Sequence, residues 1–210
     1  MTARSEIGAC HGVDATHRRR RVWGIRIDHV IYATADLDRA CTRLKAEHGL
    51  DSVAGGRHDG VGTYNRIVPL GAGFLEVLAI ADPDEADASP IGQIVTARIE
   101  AGDGLIAWAV SVPDVPAVAA RNGTDVIDIS RDGRTGRLTG LIDALEEPFL
   151  PFFIEREPSD APNDITWIEV AGERDRLEEW LGGGPADLPV HVLAGPPAVL
   201  AVGVGDLVVR

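Results

Sequence analysis

His29 and Glu76 stand 47 positions apart in the chain, and so do Trp108 and Glu155. An imidazole and two carboxylates are the side-chain types that move protons near neutral pH or grip a cation. All four residues lie in runs that alternate like β-strands, so period-two geometry assigns them to faces. His29 shares a face with Ile27 and Ile31, and Glu76 with Phe74 and Leu78. Trp108 goes with Ile106 and Val110, and Glu155 with Phe153. The opposite faces (Val30 and Tyr32, Leu75 and Val77, Phe152 and Ile154) suit packing beneath helices. Each carboxylate is thus aimed into an otherwise apolar hollow, where an unpaired charge is costly and needs a partner. Two readings stay open: a shared functional site, or Glu76 and Glu155 paired with arginines such as Arg57 or Arg66 around a satisfied core His29.

A second chemical stretch is GGRHDGVGTYN at 55–65, which sets Arg57 and His58 among four glycines. A phosphate-cradling loop needs a Lys-Ser/Thr pair opening a helix, and here Gly62 leads into the strand-like Thr63-Tyr64-Asn65. GAGF at 71–74 is a hairpin turn, since no helix follows it.

The elements that position these residues are written twice and partly a third time. The stretch 25–34 reads as a strand. Leu37, Ala40, Cys41, Leu44 and His48 then follow at helical spacing between Asp36 and Gly49. Strand-like runs near 51–57, 63–70 and 73–81 complete a βαβββ unit over 23–84. After an acidic, proline-punctuated linker at 85–103, the grammar repeats over 104–158. It runs from the strand GLIAWAVSV through a short helix after Asp114 to DVIDI, GRLTGLIDA and PFFIERE. A looser βαββ copy occupies 159–210, with its helix near 173–181. The fold class is α+β.

Bulk composition narrows the function classes. The net charge of −13 argues against a nucleic-acid binder, whose affinity rests on neutralising phosphates. The one basic run, His17 to Arg21, sits in an N-terminal arm over 1–22 that reads as disordered and solvated. No apolar run reaches membrane-spanning length, and the N-terminus lacks the apolar segment of a secretory signal. Cys10 and Cys41 do not make a disulfide framework. A cytoplasmic protein is the expectation.

The stretches IDHVIYATADLDRA, GGRHDGVGTYNRIVPLGAGFLEVLAI, WAVSVPDV and PFFIE resemble the glyoxalase-like branch of the vicinal oxygen chelate superfamily, over roughly 25–210. The resemblance implies paired βαβββ modules forming a cup-shaped mixed sheet, with metal ligands on the first and last strands of each module. By position, His29, Glu76 and Glu155 match ligand places, and Trp108 stands where a fourth ligand is found. A divalent Zn, Mn, Fe or Mg ion suits such an oxygen-rich set. GGRHDGVGTYN falls on the cup rim, where His58 is an acid/base group, Arg57 an anion anchor and Asn65 a group that orients a carbonyl.

Two functions follow from the resemblance. One is a metal-dependent lyase or isomerase acting on a small chelating substrate such as a 2-oxo acid, hemithioacetal or enediol, with Glu155 or Glu76 moving the proton. The other is a metal-free binding or sequestering protein whose pocket is walled by Phe74, Trp108, Phe153 and Ile27. Either takes a small-molecule ligand, and family habit adds a homodimer.

Overall fold

The computed structural model describes residues 25–131, 134–156, 164–183 and 188–210. The arm expected over 1–22, with Cys10, lies outside them. The first unit runs β1 (Arg26–Ala33), α1 (Leu37–His48), β2 (Val53–His58), β3 (Thr63–Leu70) and β4 (Gly73–Ile80). Helix α1 begins where the Asp36 carboxylate accepts the Arg39 amide, and it stops at Gly49 in the left-handed region, φ 66°. Its buried face is Leu37, Ala40, Cys41 and Leu44, as the spacing predicts.

The connection read as a linker is instead helical: α2 (Pro83–Asp87) and α3 (Pro90–Ala101). Asp82 and Ser89 cap the two helices by accepting amide hydrogen bonds from Glu85 and Gly92, and each helix starts on a proline. The prolines that suggest interruption therefore mark helix starts, where the missing N–H costs nothing.

The second unit comprises β5 (Gly104–Ser111), α4 (Val115–Asn122), β6 (Val126–Arg131), β7 (Arg134–Thr139), α5 (Leu141–Glu146) and β8 (Phe152–Glu155). GRLTGLIDA is thus not one strand. Gly140 takes φ 74°, which ends β7, and Leu141, Ala144 and Leu145 then pack from one face of a short helix. The strand order is β2-β3-β4-β1-β5-β8-β7-β6. In each unit the first strand lies parallel to the last, β1 on β4 and β5 on β8, and β1 meets β5 antiparallel at the centre. The paired modules and the mixed sheet agree with expectation.

The remaining elements are β9 (Ile165–Ala171), α6 (Arg174–Leu181), β10 (Val190–Leu193), β11 (Ala198–Val204) and β12 (Leu207–Val209). They form a separate sheet ordered β10-β9-β11-β12, with β10 parallel to β9. Here the parallel partner of the first strand follows the helix directly, whereas in the two full modules it is the third strand after the helix.

Two cores sandwich the large sheet. Behind it, Val30, Tyr32, Leu75, Val77, Trp108, Val110 and Phe153 pack against α1, α4, α6 and the small sheet. In front, Ile31, Ala33, Leu78, Ala107, Phe152 and Ile154 pack with Val95 of α3 and with Ala144 and Leu145 of α5. The hollow of the sheet is therefore plugged in part by two helices.

Candidate functional site

The β1–β5 ladder pairs Ile27 with Val110 and then His29 with Ala109, leaving Asp28 as an extra residue at a bulge. This bulge overturns the expected face of Ile27. Ile27 joins the rear core, while His29 two positions on faces the hollow. The bulge also brings the neighbouring side chains together: His29 Nδ1 lies 2.8 Å from Asp28 Oδ1. Burial opposes charge on Asp28, yet hydrogen bonds and charges from His29 and Arg156 outweigh it and hold the carboxyl below its usual range. An ionised Asp28 accepts, so His29 Nδ1 carries the proton and Nε2 faces the hollow.

Glu76 lies on the same face, with Oε2 3.9 Å from His29 Nε2. Phe74 stacks on the His29 ring at 4.2 Å, and Phe152 meets it edge-on at 5.2 Å. Both polar residues are buried, and the His29 ring meets both aromatic rings. Glu76 Oε1 accepts from the Asn65 amide, so its charge is not left alone.

The glycine loop explains how Asn65 arrives there. A Cβ on Gly55 would land on the side-chain and backbone oxygens of Asn65, so only glycine lets the two strands approach at this point. The Gly56 amide donates to Asn65 Oδ1 at 2.8 Å, which fixes the orientation of the side-chain amide. Its nitrogen then donates toward both Glu76 Oε1 and His58 Nε2, the latter at 3.3 Å. His58 Nδ1 in turn donates to Thr63 Oγ1 at 2.9 Å. His58 Nε2 lies 3.7 Å from Glu76 Oε1, with its ring one-third exposed. Asp28, His29, Glu76, Asn65 and His58 thus make one polar chain from the buried centre to the rim.

Three expected members are elsewhere. Trp108 stands opposite Val30 in the ladder and is fully buried in the rear core, its Nε1 donating to the Phe149 carbonyl at 3.2 Å. Phe153 also belongs to the rear core, 6.1 Å from the Trp180 ring. Glu155 shares the Phe153 face, opposite Arg137 in the β7–β8 ladder, and accepts from Arg137 Nη2 at 2.6 Å. From β5 and β8 it is Ile106, Ala107, Ala109, Phe152 and Ile154 that join the front core. Equal chain separation did not mean equal facing, because the ladder shifts register around Asp28 and again between Ile31 and Tyr32. Arg57 reaches Asp59, Asp82 and Glu85, so it braces the rim.

The metal set expected from His29, Glu76 and Glu155 is therefore not assembled. Among the described residues the second module adds no His, Cys, Asp or Glu to the front core, and the Asn65 amide nitrogen lies within hydrogen-bond reach of both His58 Nε2 and Glu76 Oε1. Among the described residues, no three His, Cys, Asp or Glu side chains are grouped to hold a metal ion. Of the four residues expected to wall a metal-free pocket, Trp108, Phe153 and Ile27 pack in the rear core, and Phe74 stacks on His29.

Residues 27–181 match a family model described as a glyoxalase-like domain. The chain belongs to the glyoxalase-like domain family. Its fold is that of a hypothetical protein from Staphylococcus aureus, at 15% identity and TM-score 0.59, covering 82% of this chain and 87% of the other. Methylmalonyl-CoA epimerase from Mycobacterium tuberculosis aligns at 20% identity and TM-score 0.45, over 65% of this chain and 88% of its own. A Streptomyces coelicolor methylmalonyl-CoA epimerase in complex with 2-nitronate-propionyl-CoA aligns at 20% identity and TM-score 0.46, over 62% and 94%. No curated protein matches the sequence. Among the described residues no helix is long and apolar enough to cross a membrane.

Two site residues escaped sequence reasoning. Asp28 adjoins His29, but neighbours in a strand ordinarily face opposite ways, and the bulge that unites them leaves no mark in the sequence. Arg156 follows β8, and its Nε reaches both Asp28 oxygens at 3.1 Å.

Proposed function

We propose that this glyoxalase-like protein catalyses proton transfer next to a carbonyl group, as an isomerase or lyase of small molecules, with both proton-transfer groups, His29 and Glu76, supplied by the first module. The observation that carries the reading is the Asp28–His29 pair directing Nε2 to within 3.9 Å of the Glu76 carboxylate, between two aromatic rings.

Glu76 is the base. Its Oε2 takes the proton from the carbon beside the carbonyl, and the C–H electron pair moves into an enolate. In its imidazolium form, with Nδ1 donating to Asp28, His29 donates from Nε2 a hydrogen bond to the oxygen where negative charge develops. Asn65 holds Oε1, so the free oxygen of Glu76 is the one nearest His29. His58, at the rim and 3.7 Å from Oε1, exchanges the captured proton with solvent. Returning the proton at a second carbon completes an isomerisation. Expelling a β-substituent completes an elimination. Phe74 and Phe152 exclude water, which strengthens the His29–oxygen interaction.

The test is deuterium incorporation in D₂O, followed by proton NMR over a panel of small 2-oxo acids, α-hydroxy ketones and enediols. At least one compound loses its α-proton signal with the native protein and keeps it with His29→Gln. A panel left untouched by native protein contradicts the proposal.

A further inference from the structure

Arg57, the expected anion anchor, is enclosed by three carboxylates, and another arginine, Arg156, lies against Asp28. We infer that Arg156 binds a carboxylate of the substrate beside the Asp28–His29 pair, making the substrate a small carbonyl acid; this deepens and rests on the function proposed above.

By strand alternation Arg156 continues the face of Phe152 and Ile154, the two β8 residues that line the front core. Its guanidinium carbon lies 4.9 Å from the centre of the Phe74 ring, and that ring stacks on His29. Nε spans the two Asp28 oxygens, and Nη2 donates to the Ala72 carbonyl at 3.3 Å. Among the described residues Nη1 has no hydrogen-bond partner. The side chain is 31% exposed, so a solute can reach it, whereas Asp28 behind it is fully buried. A guanidinium fixed on one edge and open on the other is pre-oriented for a carboxylate, and little rotamer freedom remains to be lost on binding. Arg57 has no such spare edge, because three carboxylates surround it. Asp28 Oδ1 meets both Arg156 Nε at 3.1 Å and His29 Nδ1 at 2.8 Å, so an acid held at Arg156 lies beside the Asp28–His29 pair.

Calorimetric titration of the full chain with 2-oxobutyrate and with the neutral 2-oxobutyramide tests the anchor without relying on turnover. Native protein binds the acid at least tenfold more tightly than the amide. Arg156→Gln loses that preference while the amide affinity stays, and Arg156→Lys recovers part of it; thermal unfolding of each variant checks that the fold survives. Equal affinity of native protein for acid and amide, or an acid preference intact in a folded Arg156→Gln, overturns the anchor. Acid preference without α-deuterium exchange keeps the anchor and removes the proton-transfer reading. Exchange without acid preference does the reverse.

Discussion

His29 Nε2 and Glu76 Oε2 face each other 3.9 Å apart across a parallel strand pair, β1 beside β4, with Asp28 behind the imidazole and Asn65 behind the carboxylate. Each reactive group is held by a second group whose own geometry is set by the backbone. That arrangement pre-organises proton transfer and makes each supporting residue open to test.

Gly55→Ala tests the support of Glu76. The new methyl group collides with Asn65, whose backbone cannot withdraw without breaking the β2–β3 ladder. Turnover falls about 10- to 100-fold with the Asn65 contacts displaced, while Gly60→Ala, where a Cβ meets open space, costs little turnover. Both variants carry the strain of an altered glycine loop, so turnover is compared at matched folded fraction by circular dichroism.

Asp28→Asn tests the support of His29. The Asp28 carboxyl is held below the ordinary range in the folded state despite burial. It therefore adds stability at pH values above the unfolded aspartate value of about 3.9, and that stability is lost as pH falls through the depressed folded value. Native protein is more stable than Asp28→Asn by about 1.5 to 3 kcal/mol near neutrality. Denaturant titrations across the acid range show that gap narrowing only below about pH 4.

Trp108→Ala is a stability variant and not a binding variant. A fully buried tryptophan with its indole hydrogen-bonded costs about 3 to 5 kcal/mol on truncation. Substrate affinity of the milder Trp108→Phe is unchanged in the same calorimetric titration.

Exhaustive dialysis against a chelator leaves α-proton exchange intact, because the described second-module residues packed in front of the sheet, among them Ala107, Ala109, Phe152 and Ile154, carry no carboxylate, imidazole or thiol. Exchange that vanishes and returns on adding Mn²⁺ or Zn²⁺ contradicts the site as described.

The fold was readable because its signals are local. Asp36 and Gly49 bracket α1, Asp114 opens α4, and alternating β-branched residues mark β1 and β5. The first half of the site followed from the same alternation, which correctly set Glu76 with Phe74 and Leu78. The second half did not, because facing in a sheet depends on register between strands. A one-residue bulge at Asp28 moves Ile27 to the rear core, and the Val30–Trp108 pairing turns the tryptophan the same way. Register is fixed by long-range packing, and no residue type near Trp108 records it. The helices over the hollow were missed for a related reason. Pro83 and Pro90 read as breaks, yet both stand at helix starts.

The most direct test compares Glu76→Gln with Glu155→Gln in the α-deuterium exchange assay. Loss of about 100- to 10,000-fold in Glu76→Gln, with Glu155→Gln within a factor of two of native protein, is the predicted result. Equal losses in the two variants, or a loss in Glu155→Gln alone, contradict Glu76 as the base.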